Sequence, residues 1–162
     1  MKRLLKVAVP ALLVLPVVAG IALATPGIGI LSGPVHARGT IAEELNIHSK
    51  SGVKLQTKDA LGVVTQQIVI APGGTTGWHS HPGPVLVTVK SGALTFVADD
   101  DETCVGRTYG PGESFVDRGD GFVHAAFNRG TQNLELWATY LVPGDPAGPV
   151  RLDAPASGSC GP

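Results

Sequence analysis

His79 and His81 stand two apart, just past the glycine-rich stretch Gly73-Gly74-Thr75-Thr76-Gly77. On an extended strand, residues i and i+2 point to the same face, so this pair aims two imidazoles at one point. A third histidine, His124, ends the apolar run Phe122-Val123 and is followed by Asn128. Three converging imidazoles make a site for a divalent metal ion. Such a ligand set suits zinc, iron, nickel, manganese, cobalt or copper without choosing among them. Open positions on the ion could take a small chelating molecule and dioxygen, or activate a water.

Other residues have weaker claims. Phe122 shares the strand parity of His124 and is a candidate wall of the pocket. Tyr140, Phe96, Phe115 and Trp137 are aromatic pocket candidates whose simpler role is plain core. Trp78 precedes His79 and is expected to point away from the metal. Asn128 is a pocket candidate whose simpler role is to cap a turn. Glu113, Asp117 and Glu135 are the carboxylates nearest the site in sequence. One of them could serve as a general base, and a surface position is expected for each. His36 and His48 have no partner pattern. The chain has no Ser/His/Asp grouping and no phosphate-cradling loop.

The elements that must hold these side chains read as short strands. Val63–Ile70 is rich in β-branched residues. Ala71-Pro72-Gly73-Gly74 reads as a turn before the histidine strand, which Pro82-Gly83-Pro84 breaks. Val85–Val89 and Ala93–Val97 flank a Ser91-Gly92 hairpin turn. Ser114–Asp117, Phe122–Asn128 and Leu134–Val142 follow, and Lys50–Thr57 alternates weakly as a strand that could line a pocket. Asp99–Glu102 is an acidic loop without the alternating ligand spacing of a calcium loop. Eight or nine strands with frequent turns and no convincing helix give an all-β sandwich or barrel. A barrel of this size has an interior wide enough for a metal or one small ligand.

The 162 residues suffice for one domain, and 22 glycines, 13 prolines and only 15% charged residues fit many turns between short strands. Lys2, Arg3 and Lys6 precede an uncharged run from Val7 to Leu31, the pattern of an export signal. Ala22-Leu23-Ala24 and Val35-His36-Ala37 are candidate cleavage sites. The run is also long enough for an uncleaved membrane anchor. Pro10, Pro16 and Pro26 interrupt a helix there, and no basic stop-transfer cluster follows, which favours the cleaved signal. The expected organisation is a signal segment over 1–37, a barrel over 38–142 and a Pro/Gly-rich tail over 143–162 lying along the surface. Without the signal, nine basic residues face thirteen acidic ones, a net of −4. That balance argues against a nucleic-acid partner. A secreted or otherwise extracytoplasmic location makes a disulfide between Cys104 and Cys160 the expectation. It would tie down the tail and close a loop of about 55 residues, worth on the order of 4 kcal/mol.

Taken together, these residues resemble the cupin superfamily, specifically a small single-domain cupin. Gly73 or Gly74, His79, His81 and Gly92 fit its first motif. Gly110-Pro111-Gly112, His124 and Asn128 fit its second. The resemblance covers roughly residues 63–142. It implies a double-stranded β-helix, or jelly roll, with one divalent metal inside, held by His79, His81 and His124. Barrels of this kind commonly pair through their outer strands, so a homodimer is among its implications. One departure stands out. The glutamate of the first motif falls at Val85 or Leu86, and neither side chain binds a metal; Val85 becomes a pocket-wall candidate instead. Three neutral imidazoles leave the ion its full +2 and an extra open position. The resemblance implies an exported metal-binding protein, with a metal-dependent dioxygenase or isomerase acting on a small polar molecule as the alternative.

Overall fold

The structure is a computed structural model that describes residues 24–144, 146–156 and 160. Thirteen strands are present among the described residues, and no helix. They are β1 (Ile28–Ser32), β2 (Val35–Ile41), β3 (Asn46–His48), β4 (Lys54–Gln56), β5 (Leu61–Thr75), β6 (His79–Ser80), β7 (Val85–Ser91), β8 (Leu94–Ala98), β9 (Arg107–Tyr109), β10 (Ser114–Asp117), β11 (His124–Phe127), β12 (Leu134–Pro143) and β13 (Leu152–Asp153). Apart from the exposed β3–β4 hairpin they form one sheet, curled into a nearly closed barrel.

Strand β12 is the backbone of one face. It pairs along ten positions with β5 and along six with β7, and β10 pairs with β7 at the edge. The other face runs from β9 through β8 and β11 to β6 and β13. Alternation explains the core. On β7, Val85, Val87 and Val89 are buried while Leu86 and Thr88 face solvent. On β12, Leu134, Leu136, Ala138, Tyr140 and Val142 are buried. These residues pack with Val64, Ile70 and Leu94 into one apolar cluster. A second, smaller cluster under Trp78 contains Val97, Ala125 and Cys160.

Three sequence expectations change. The Ala71-Pro72-Gly73-Gly74 stretch is not a turn between two strands but the bend through which the continuous β5 passes from one face to the other, pairing with β12 before it and meeting β11 at Thr75 after it. Its geometry is held by Asn128, whose side-chain amide donates to the carbonyls of Ile70 and Gln132. Lys50–Thr57 does not line a pocket. It belongs to the β3–β4 hairpin, too polar to enter the core and exposed from Lys50 through Gln56.

The third change concerns both ends of the chain. The expected signal over 1–37 falls mostly outside the described residues, but 28–41 form β1 and β2, which pair with β5. The tail does not simply lie along the surface either. Strand β13 pairs with the histidine strand β6, Ala154 N–H donates to the Trp78 carbonyl, and Thr25 N–H donates to the Ala154 carbonyl. Backbone groups must find partners, and the short β6 leaves an edge that the tail fills. Cys104 and Cys160 form a disulfide that anchors this tail.

Candidate metal centre

His79 sits on β6 and His81 one residue beyond its end, and His124 begins β11, directly opposite His79 in the register. The i, i+2 spacing and the β6–β11 pairing bring all three imidazoles to one end of the barrel interior. Ring centroids are 4.4 Å apart for His79 and His124, 4.8 Å for His79 and His81, and 5.2 Å for His81 and His124. Each side chain is buried.

The second nitrogen of each ring is tied to the backbone. Nδ1 of His79 lies 2.8 Å from the Gly77 carbonyl, Nδ1 of His81 lies 2.6 Å from that of Val150, and Nδ1 of His124 lies 3.1 Å from that of Phe122. A carbonyl only accepts, so each Nδ1 carries the proton and each Nε2 presents a lone pair. Metal-binding histidines are oriented by this kind of bond. Gly77 is required for it: its φ is +69°, and an added Cβ would lie 2.2 Å from the Thr25 carbonyl oxygen.

Burial also keeps the rings neutral. It holds His79 well below the usual imidazole range, with the charge of His124 adding to the effect. It lowers His81 to about 4 and lowers His124 as well. Neutral imidazole is the form that binds a metal. One ligand atom from each ring lies within 4.8 Å of the others. Opposite ligands on one ion at ~2.1 Å span about 4.2 Å, so small side-chain shifts close the set on a single ion. The residues fit a divalent metal.

The fourth polar group is Asp117, at the end of β10. Its side chain is 2% exposed, against the surface position expected from sequence. Oδ1 accepts from Gly119 N–H at 3.1 Å. Oδ2 has no hydrogen-bond partner and lies 3.6 Å from His81 Nε2 and 3.5 Å from His124 Nε2. Sequence proximity marks Asp117 as one of three nearby carboxylates, but its burial depends on the pairing of β10 with β7.

These four residues line a cavity of about 40 Å³, closed on its other sides by apolar residues that include Val85, Phe96, Phe115 and Tyr140. Tyr140 donates its hydroxyl to Gln66 Oε1 at 2.7 Å, and burial raises its pKa to about 12. His79, His81 and Tyr140 also line a wider cleft of about 360 Å³ at the barrel mouth, with Gln66, Val150 and Arg151. Two sequence candidates are elsewhere. Phe122 stacks on His124 at 6.1 Å but does not line the cavity, because β11 starts only at His124 and strand parity does not reach back to it; the Arg118 guanidinium covers its ring at 3.7 Å. Asn128 is buried at the β5 bend and spends its amide there. Trp137 stacks with His36 outside the cavity, and Glu113 and Glu135 stay out of it, bonded to Gly110 N–H and Lys90.

Residues 66–142 match the family model of the cupin domain. Over this stretch the chain belongs to the cupin superfamily. Solved structures it resembles include a protein with a double-stranded β-helix domain from Klebsiella pneumoniae subsp. pneumoniae MGH 78578, at 23% identity, 70% of this chain, 86% of that one and a TM-score of 0.47. A cupin domain from Bordetella pertussis Tohama I matches at 18% identity over 76% of this chain and all of that one, with a TM-score of 0.45. An oxalate oxidase in complex with glycolate matches at 27% identity over 48% of this chain and 40% of that one, with a TM-score of 0.39. No curated protein matches this cupin.

Proposed function

We propose that this cupin is an exported protein that holds one divalent metal ion on His79, His81 and His124 and receives a small polar molecule in the cleft at the barrel mouth. The observation that carries the reading is the fixed tautomer: three buried rings, each with Nδ1–H given to a backbone carbonyl, turn three Nε2 lone pairs toward one point. Export is supported by the basic, then apolar N-terminus and by the disulfide, which persists in oxidising compartments. Among the described residues no helix is long and apolar enough to cross a membrane.

The cleft supports the second reading, a metal-dependent enzyme of the dioxygenase or isomerase type. It shares His79 and His81 with the inner cavity, so a molecule lodged there would lie beside the histidines that would hold the ion. When bound, the ion supplies Lewis acidity or a site for dioxygen. The chain's own part is to orient the imidazoles, exclude water by the apolar wall and present Arg151 at the rim to an anionic group.

Elemental analysis of protein purified without chelators tests the first reading. About one ion per chain is expected, and none in a His79→Ala/His81→Ala variant. A metal-free protein that stays so after supplementation overturns both readings. Dioxygen uptake with candidate small acids then separates enzyme from binder. Pairing of two copies is proposed through edge strand β10, where exposed Val116 lies beside exposed Leu86 of β7; a monomer by sedimentation removes it.

A further inference from the structure

Val85 occupies the position where the cupin resemblance calls for a glutamate. Its antiparallel partner on β10 is Asp117. Residues directly opposite on paired strands send their side chains to the same face, and both line the cavity. A carboxylate carried by β10 therefore enters the same wall as one carried by β7 would.

The surroundings of Asp117 show what it lacks. The turn that aims it is rigidly set. Gly119, whose N–H holds Oδ1, has φ +69°, and a Cβ there would lie 2.1 Å from the Gly83 carbonyl carbon. Oδ2 is buried, has no hydrogen-bond partner, and faces Nε2 of His81 and of His124. Both nitrogens present lone pairs, since both Nδ1 protons are already donated to backbone carbonyls. A carboxylate oxygen and two imidazole lone pairs are all acceptors. Packed together away from water they repel, and an unpaired buried carboxylate is costly. The geometry leaves a place among them for a cation.

We infer that Asp117 is a fourth protein ligand of the metal ion, so that the centre is a three-histidine, one-carboxylate site whose carboxylate has moved one strand across the sheet. This rests on the metal reading above and deepens it. A divalent ion then leaves a net +1 instead of +2, and an oxygen donor beside three nitrogens makes the set more welcoming to harder ions such as manganese. The rival cation is a proton, with His81 or His124 charged and ion-paired to Asp117. The two differ in sign in the metal-free protein. As a metal ligand, Asp117 is an unpartnered charge when no metal is bound, and Asp117→Asn removes that charge and gives an amide that donates to an imidazole lone pair. As half of an ion pair, Asp117 stabilises the metal-free protein, and Asp117→Asn breaks the pair.

The test uses wild type, Asp117→Asn, Asp117→Glu and His79→Ala, with zinc affinity by chelator competition, cobalt absorption in the visible, and melting without metal. Asp117→Asn is expected to lose on the order of 100-fold in zinc affinity, to change the cobalt spectrum as a protein oxygen leaves the ion, and to melt at or above wild type when metal-free. Asp117→Glu, which keeps a carboxylate, recovers part of the affinity. An unchanged affinity and spectrum in Asp117→Asn, or a lower metal-free melting point, overturns the assignment while leaving the three histidines in place. A wild type that binds no ion overturns the three-histidine reading first, and this one with it.

Discussion

The two walls of the cavity differ in how they are satisfied. On the β6 and β11 wall, every histidine has its Nδ1 bonded to a backbone carbonyl, and the acceptors come from three separate parts of the chain, Gly77, Phe122 and Val150. On the β7 and β10 wall, apolar side chains surround one carboxylate with a single bonded oxygen and a single orphan. Buried polar groups in folded proteins nearly always have partners. The first wall therefore reports how the barrel holds its shape, and the orphan on the second reports what the barrel is shaped to hold.

Several changes break or sharpen that contrast. The largest effect on stability is expected from Cys104→Ser/Cys160→Ser. Releasing the 56-residue closure costs about 4 kcal/mol in the chain-entropy model, read by denaturant unfolding. It also frees the tail that carries the Val150 carbonyl, so metal affinity falls with stability; unchanged affinity would mean that the tail does not orient His81. Next is Gly77→Ala. The left-handed backbone and the close Thr25 oxygen make it cost about 3 kcal/mol, and it re-aims the carbonyl that fixes His79. Thermal melting and metal titration should therefore both respond.

Asn128→Ala is the control that separates the roles. It removes the donors to Ile70 and Gln132 and should cost about 2 kcal/mol, with metal affinity per folded molecule unaltered. A selective loss of metal binding would place Asn128 in the centre after all. The last effect is with pH. In the metal-free protein, His81 has its pKa lowered by burial to about 4 from an ordinary 6.5. Between those values the unfolded chain binds more protons than the folded one, so stability is complete above about 6.5 and declines as pH falls toward 4. A melting point flat across that window would show that the rings are not held neutral.

Much of this was legible in the sequence because it is local. Alternation at Val85, Val87 and Val89 foretells strand β7, and two-residue spacing foretells the His79–His81 pair; the expected Ser91-Gly92 hairpin does not form, because that turn carries the chain from β7 on one face to β8 on the other. His124 was legible through its motif. Asp117 was not, because its burial is set by register: the acid is ordinary in its own strand and becomes special only beside Val85. Phe122 misled because parity holds only inside a strand. The N-terminal strands and the tail were hidden for related reasons. β1 and β2 bury no alternating apolar face, and β13 is only two residues long, below any periodic signal.

The most direct test of the central claim is thermal unfolding over a series of zinc concentrations, for wild type and for His79→Ala/His81→Ala. Ions that bind the folded state alone raise its melting point with concentration. The wild-type midpoint should climb steadily while the variant stays flat. A wild-type midpoint that does not move, or a variant that climbs equally, would contradict the view that these imidazoles converge to hold a metal.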